Sequence, residues 1–420
     1  MTPVLSRNTR KRPIVLVMAS IALMAFVAIY PPFLATTFET EYKTIRLLFE
    51  GFILFSLSVY LSKRDAEVFV ILLVVGFLYM MNWGISTEKI ENVLSHFNKF
   101  VFLLLIISAL RRRNDLALLA RNIWIVFWGY CSIAGMIGFV LMTTSVVNPT
   151  LIVGTEEGWG RYFYYNYPFI GNFTLRSTDL FYVPRYTGFL FESGMLSFFF
   201  GFNMVAAKHL VPDVKKCRLF FRANMIAGLL TVSFAFIIFL ALFFILRTRM
   251  VARVVSNKAI LIAGIIVLLI ITISTISIPD NTYELLPYSS TDDRLWRYAL
   301  SIEFLKAQSL GALVFGVGLF PFHEAIGGGA SAGLIDVLAS RGVILLGVWL
   351  YVLYMKSKHV PGLFAFILLY SLAFDYWHFP LFAIGLGIVA SLEASEPRAR
   401  TARSSPASIA FRGSARLGGV

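Results

Sequence analysis

The chain has 420 residues, of which 58% are hydrophobic and 14% charged, with a formal net charge of +14. Those proportions exclude a water-soluble globule, and the strict alternation of an outer-membrane barrel is absent. The basic excess sits in short segments flanking apolar runs, which excludes a nucleic-acid footprint, and Cys131 and Cys217 make no disulfide framework.

In chain order, apolar runs near the roughly 20 residues needed to cross a bilayer alternate with basic clusters. Lys and Arg are retained on the cytoplasmic side, so Arg7, Arg10, Lys11 and Arg12 place the N-terminus inside. The first apolar run lacks a small-residue cleavage site and reads as a retained anchor. Spans are predicted at 14–34, 44–61, 67–83 and 93–110, punctuated by Lys63-Arg64 and by Arg111-Arg112-Arg113. A fifth span at 122–142 leads out to a long loop over 143–187. A sixth, near 188–207, returns to Lys208, Lys215 and Lys216.

The stretch from Leu219 to Leu246 is too long for one span and too short for two comfortable ones. Arg218 and Arg222 mark its start and Arg247 and Arg249 its end, so both ends belong inside. It is predicted as two short passes, broken where Thr231 and Ser233 interrupt the apolar run. A ninth span at 259–278 opens a second long outer loop over 279–330, and a tenth near 333–355 returns to Lys356 and Lys358. The last two spans form a hairpin around Asp375–Pro380. The expected architecture is an all-α polytopic membrane protein of about twelve transmembrane helices. It is a single integral-membrane domain over 1–392, and the Arg/Ser/Ala-rich segment 393–420 is a disordered cytoplasmic tail. No internal repeat is visible.

The two long loops carry the candidate chemistry. The first holds an aromatic burst from Trp159 to Phe169 with Arg161, Tyr164, Tyr165 and Asn166 inside it. Aromatic faces stack on the C–H faces of sugar rings, and the same burst fits an interfacial aromatic belt. Its end, Arg185-x-x-Gly188-x-x-x-Glu192, puts three residues on one face if it is helical. Gly188 then leaves room for a bulky ligand beside the guanidinium, although an arginine there can equally snorkel to headgroups.

In the second loop, Ser290 to Asp293 offer helix caps, and Arg294 and Arg297 follow as i, i+3 neighbours. Two guanidiniums on one face suit a diphosphate, since each engages phosphate oxygens bidentately. Asp292-Asp293 can be read as metal ligands, but capping explains the pair at lower cost. Gly316-Val-Gly318 has no strand before it, which excludes a nucleotide fold; its glycines let backbone pass close to a ligand or a neighbouring helix.

In these stations the sequence resembles the O-antigen polymerase/ligase family, lipid-dependent GT-C type membrane glycosyltransferases of bacterial polysaccharide synthesis. Arg185-x-x-Gly188 is similar to the family's first arginine element. Arg294-x-Trp296 followed by Gly316-Val-Gly318 is similar to its second arginine and "GVG" element. Leu334 to Gly347 is similar to its L-x-x-L-x-x-x-G-x-x-G segment at the start of a span. The three stations cover about 185–350. The family's His-Asn pair falls by spacing on Ser331, and the histidine of this loop is His323, eight residues upstream.

The resemblance implies transfer of glycan from undecaprenyl diphosphate at the outer face of the inner membrane, without cofactor or metal. It makes Arg185, Arg294 and Arg297 the diphosphate clamp, and His323, then Glu192, the candidate general base. Trp159, Arg161, Tyr164 and Tyr165 become the glycan surface. A chain-length regulator and a flippase are the implied partners, beside membrane lipid. A ligase of the same family, a transporter or flippase, and a non-catalytic scaffold are the competing readings. Against transport, the spans are nearly free of charge apart from Asp336 and Arg341.

Overall fold

The computed structural model describes residues 105–112, 114–144, 163–167, 171–177, 182–190, 193–246, 299–318, 322, 324–325, 333–373 and 380–403. The first three expected spans, most of the fourth, and the ninth lie outside them. What is described is mostly helical, with one small sheet. Helix α1 spans Asn114–Thr143, and strands β1 (Phe163–Tyr167), β2 (Gly171–Ser177) and β3 (Tyr182–Gly188) follow it. Helices α2 (Ser193–Leu210), α3 (Val214–Leu230) and α4 (Phe234–Leu246) come next. The chain closes with α5 (Leu310–Phe315), α6 (Leu334–Ser357), α7 (Leu363–Ala373) and α8 (Pro380–Arg403). Two of these helices, α1 from Asp115 onward and α6, are long and apolar enough to cross a membrane.

Two expectations are corrected. The connection expected over 143–187 contains an antiparallel sheet of order β1-β2-β3, so the chain is not purely helical. Its strands are rich in Tyr, with Phe and Thr beside them, and these fit a pleated half-buried surface better than a helix. Arg185 and Gly188 lie on β3, and α2 begins only at Ser193, so the expected helical face through Arg185, Gly188 and Glu192 does not form. Helix α8 is described as far as Arg403, and residues 404–420 lie outside the described residues.

The break expected within 219–246 is present at Thr231-Val232-Ser233, between α3 and α4. Val232 adopts φ 47°, a left-handed conformation rare for a β-branched residue. At 1.5 Å per residue, α3 and α4 measure roughly 25 and 20 Å, each short of the ~30 Å hydrocarbon layer. Gly228 makes the bend possible, because an added Cβ would fall inside the Phe236 ring on the far side of the break.

Aromatic side chains dominate the core. Helix α2 is buried on nearly all sides, with Phe198, Phe199, Phe200 and Phe202 almost inaccessible. Phe198 packs against Phe366 of α7 with ring centroids 5.3 Å apart, and Trp128 of α1 stacks on Phe199 at 5.1 Å. Glycines admit these rings: a Cβ on Gly201 would lie 2.6 Å from Phe366, and one on Gly385 2.7 Å from Trp124.

One polar chain runs through this core. Trp124 Nε1 donates to Asn203 Oδ1 (2.7 Å), Asn203 Nδ2 to Asn224 Oδ1 (2.9 Å), and Asn224 Nδ2 to the Phe220 carbonyl (2.8 Å). It joins α1, α2 and α3. Both asparagines are completely buried, so loss of one partner strands the others. Replacing Asn203 with Ala is expected to lower unfolding stability by about 2–3 kcal/mol, read as a fall in the thermal midpoint of the detergent-solubilised protein. An unchanged midpoint would remove the chain from the stabilising interactions.

Candidate functional site

Two backbone irregularities hold the sequence-predicted elements together. The first involves Arg185. The register of the sheet sets Tyr164 opposite Thr174 and Thr174 opposite Arg185, a single row across all three strands. The next row holds Tyr165, Phe173 and Tyr186. Phe173 and Tyr186 are fully buried and in ring contact at 5.0 Å, and Tyr186 Oη donates to the Cys131 carbonyl of α1 (3.0 Å). Gly135 makes this docking possible, because its Cβ would lie 2.5 Å from the Tyr186 ring. Burial pushes the Tyr186 phenol well above its usual range, so it stays a protonated donor.

With the Tyr186 row fixed against α1, the neighbouring row brings half-buried Arg185 to the break between α3 and α4. Its Nε donates to the Thr231 carbonyl at 3.3 Å. Thr231 is itself buried and donates Oγ1 to the Gly228 carbonyl (2.6 Å). A cation at the C-terminal end of α3 satisfies carbonyls that the broken helix cannot pair and complements the helix dipole. Nothing in the sequence near Arg185 points to residue 231, 46 positions away.

Gly188 does not leave room for a ligand. It takes φ 60° to end β3, and the space beside it is filled by Leu196 and the Tyr186 ring, 3.1 and 3.4 Å from where a Cβ would lie. The β2–β3 register shifts at Asn172/Phe173, and beside it Thr187 Oγ1 donates to the Asn172 carbonyl (2.9 Å).

The second irregularity joins two motifs. Helix α6 is interrupted at Gly342, with φ 73° and ψ 173°, while Gly316 adopts φ 78° and ψ 169°. Both lie in a region open essentially to glycine alone. The Val317 amide donates to the Ala339 carbonyl (3.2 Å) and the Gly318 amide to the Ser340 carbonyl (2.8 Å). These are carbonyls that a continuous helix would pair with residues 343 and 344. A Cβ at Gly316 would strike the main chain of Ser340 and Arg341, and one at Gly342 the main chain of residues 314 to 316. Of the two sequence readings of Gly316-Val-Gly318, close passage of a neighbouring helix is therefore the one observed.

Beside this contact, Asp336, Ser340 and Arg341 are buried. The sequence marks the two charges as exceptions within a span, but their burial next to a helix break becomes evident only once α5 and the 316–318 segment pack on α6. Trp159, Arg161, Glu192, Arg294, Arg297, His323 and the Asp292-Asp293 pair lie outside the described residues. For Tyr164 and Tyr165, the backbone register is what the structure adds. Among the described residues, no three His, Cys, Asp or Glu side chains gather as metal ligands. Comparison with protein-family models, curated proteins and solved structures finds no match to this chain.

Substituting Ala for Gly316 or for Gly342 is expected to cost about 1–3 kcal/mol from backbone strain alone. Displacement of the 316–318 segment comes on top of that. Ala at Gly347 in the same helix, where a Cβ meets nothing within 4 Å, is expected to be silent. Thermal midpoints of the three variants check this, and equal midpoints for Gly342 and Gly347 would sink it.

Proposed function

We propose that the chain is a bacterial inner-membrane polysaccharide polymerase that transfers undecaprenyl-diphosphate-linked glycan onto a lipid-linked repeat unit. In this reading it makes about twelve crossings with both termini cytoplasmic, and its two long loops face outward. The observation that carries the reading is the meeting of two distant family-like stations: Gly316-Val-Gly318 hydrogen-bonds to the helix interruption at Gly342. A third station, Arg185, sits on a strand docked to the same helical core and reaches a second interruption at Thr231. Interrupted helices are the places where a membrane protein turns backbone and charge toward a bound ligand.

In the proposed reaction an acceptor sugar hydroxyl attacks the anomeric carbon of the donor. The new C–O bond forms as the bond to the diphosphate breaks, and the electron pair leaves with the lipid diphosphate. Arg185 and Arg294, with Arg297 beside them, stabilise the charge that gathers on that leaving group, so the step needs no metal. His323 takes the hydroxyl proton, with Glu192 as the second candidate. Trp159, Arg161, Tyr164 and Tyr165 form the glycan surface, and chain-length-regulating and flippase proteins are the expected partners.

Exchange of Arg185 for Ala is expected to cut polymer formation on purified lipid-linked repeat units by about 10²-fold or more. Lys at 185 is expected to be impaired as well, because a point charge does not reproduce a planar fork. Wild-type polymer from both Arg185→Ala and Arg294→Ala would leave a scaffold as the better account. In cells lacking the gene, single repeat units should accumulate on the carrier; long carrier-linked chains would indicate a ligase instead.

His323→Ala is expected to lower turnover by about 10²–10⁴-fold while leaving donor binding largely intact, and His323→Gln should not restore it. Near-normal turnover in the alanine variant would move the proton acceptor to Glu192 or Glu324, or show that the step needs none.

A further inference from the structure

Helix α3 presents two faces with opposite uses. Phe220, Asn224, Ala227 and Gly228 are buried, and Asn224 ties that face to α2. On the other side Lys215, Leu219, Arg222, Ile226 and Leu229 recur at alternating four- and three-residue steps, and all are exposed. This spacing makes one continuous stripe. It starts charged and ends apolar. Lys216 and Arg218 flank its first turns, and Lys208 at the end of α2 adds a fifth cation to Lys215, Lys216, Arg218 and Arg222; all are exposed.

Val214 and Leu219 stand among these cations, 65% and 70% exposed. Residues 193–230 contain one acid, Asp213. Its carboxylate is committed to the helix cap, accepting the Lys216 amide at 2.8 Å. Asp213 is thus the one acidic neighbour of the five cations within their own segment.

We propose that this outward face of α3, with the end of α2, is a docking surface for anionic phospholipid headgroups at the aqueous boundary of the bilayer. A purely solvated face has no reason to expose Val214, Leu219, Ile226 and Leu229, and a purely lipid-buried face has none to carry five cations. Lys215 and Ile226 are separated by about 16 Å along the helix axis, the scale over which a bilayer passes from headgroups to acyl chains. Clustered Lys and Arg on such a helix select anionic lipid. A soluble polyanion matches the charges but not the apolar side chains between them. The proposal rests on the bilayer placement of the chain and not on the transfer reaction, and its test makes no use of activity.

Cys217 reports on this surface directly, because it lies half-exposed within the patch, whereas Cys131 is buried. The full-length protein is placed in nanodiscs of phosphatidylcholine alone or of a phosphatidylcholine/phosphatidylglycerol mixture. Alkylation of Cys217 by N-ethylmaleimide, an uncharged reagent, is then followed by peptide mass. Phosphatidylglycerol is expected to slow alkylation several-fold. Glycerol phosphate added to phosphatidylcholine nanodiscs should not.

Raising ionic strength to about 1 M, where the Debye length is about 3 Å, should remove most of the protection in the wild-type protein. The combined K215Q, K216Q, R218Q and R222Q variant should abolish it. Equal rates in the two lipids, or protection that survives both salt and the substitutions, would overturn the proposal. Protection by glycerol phosphate alone would reassign the patch to soluble anions and overturn it equally.

Discussion

The arrangement of the described bundle depends on one requirement: two asparagine amides buried among aromatic rings must find partners. A buried amide without a hydrogen bond costs several kcal/mol in an apolar surrounding. Asn203 meets the requirement by accepting from Trp124 and donating to Asn224, and Asn224 by donating to the Phe220 carbonyl. The two bonds that cross between helices, Trp124 to Asn203 and Asn203 to Asn224, each fix a helix rotation as well as a contact. Hydrophobic burial alone would let α2 turn, because it is apolar on almost every side. The asparagine chain removes that freedom and sets which faces of α1 and α3 turn inward.

Two interruptions follow from this frame. With α3 held through Asn224, its C-terminal end falls under the sheet, and the carbonyl of Thr231 receives Arg185. In α6 the freed carbonyls of Ala339 and Ser340 receive amides from the 316–318 segment. Irregular backbone survives inside an apolar core only when other groups take over its hydrogen bonds. In one case the substitute is a guanidinium, in the other a second stretch of main chain. The second solution requires glycine on both sides, since any side chain at 316 or 342 would meet backbone rather than a yielding side-chain tip.

Four glycines of the bundle are each paired with an aromatic ring. Gly135 accepts the Tyr186 ring, Gly201 that of Phe366, Gly228 that of Phe236 and Gly385 that of Trp124. Each pairing brings a helix or strand close enough for dispersion contacts that a Cβ would prevent. The small sheet is held by the first of these, reinforced by the phenol bond to the Cys131 carbonyl, and its position then determines where Arg185 stands.

Sequence periodicity and composition are sufficient to find the apolar runs that become α1 and α6 and to place the break of the 219–246 stretch at Thr231 and Ser233. These features are local: a run of apolar side chains, or two hydroxyl residues interrupting one, acts on the backbone within a few residues. The strands between 163 and 188 were missed because a burst of Tyr and Phe fits a membrane interface as well as a pleated sheet, and only pairing with a partner strand decides between them. The helical face expected through Arg185 and Gly188 failed for the same reason. The contact of Arg185 with Thr231, the meeting of Gly316 with Gly342 and the burial of Arg341 belong to tertiary structure alone. Each joins residues whose local patterns say nothing about one another, and only the packing of the chain brings them within reach.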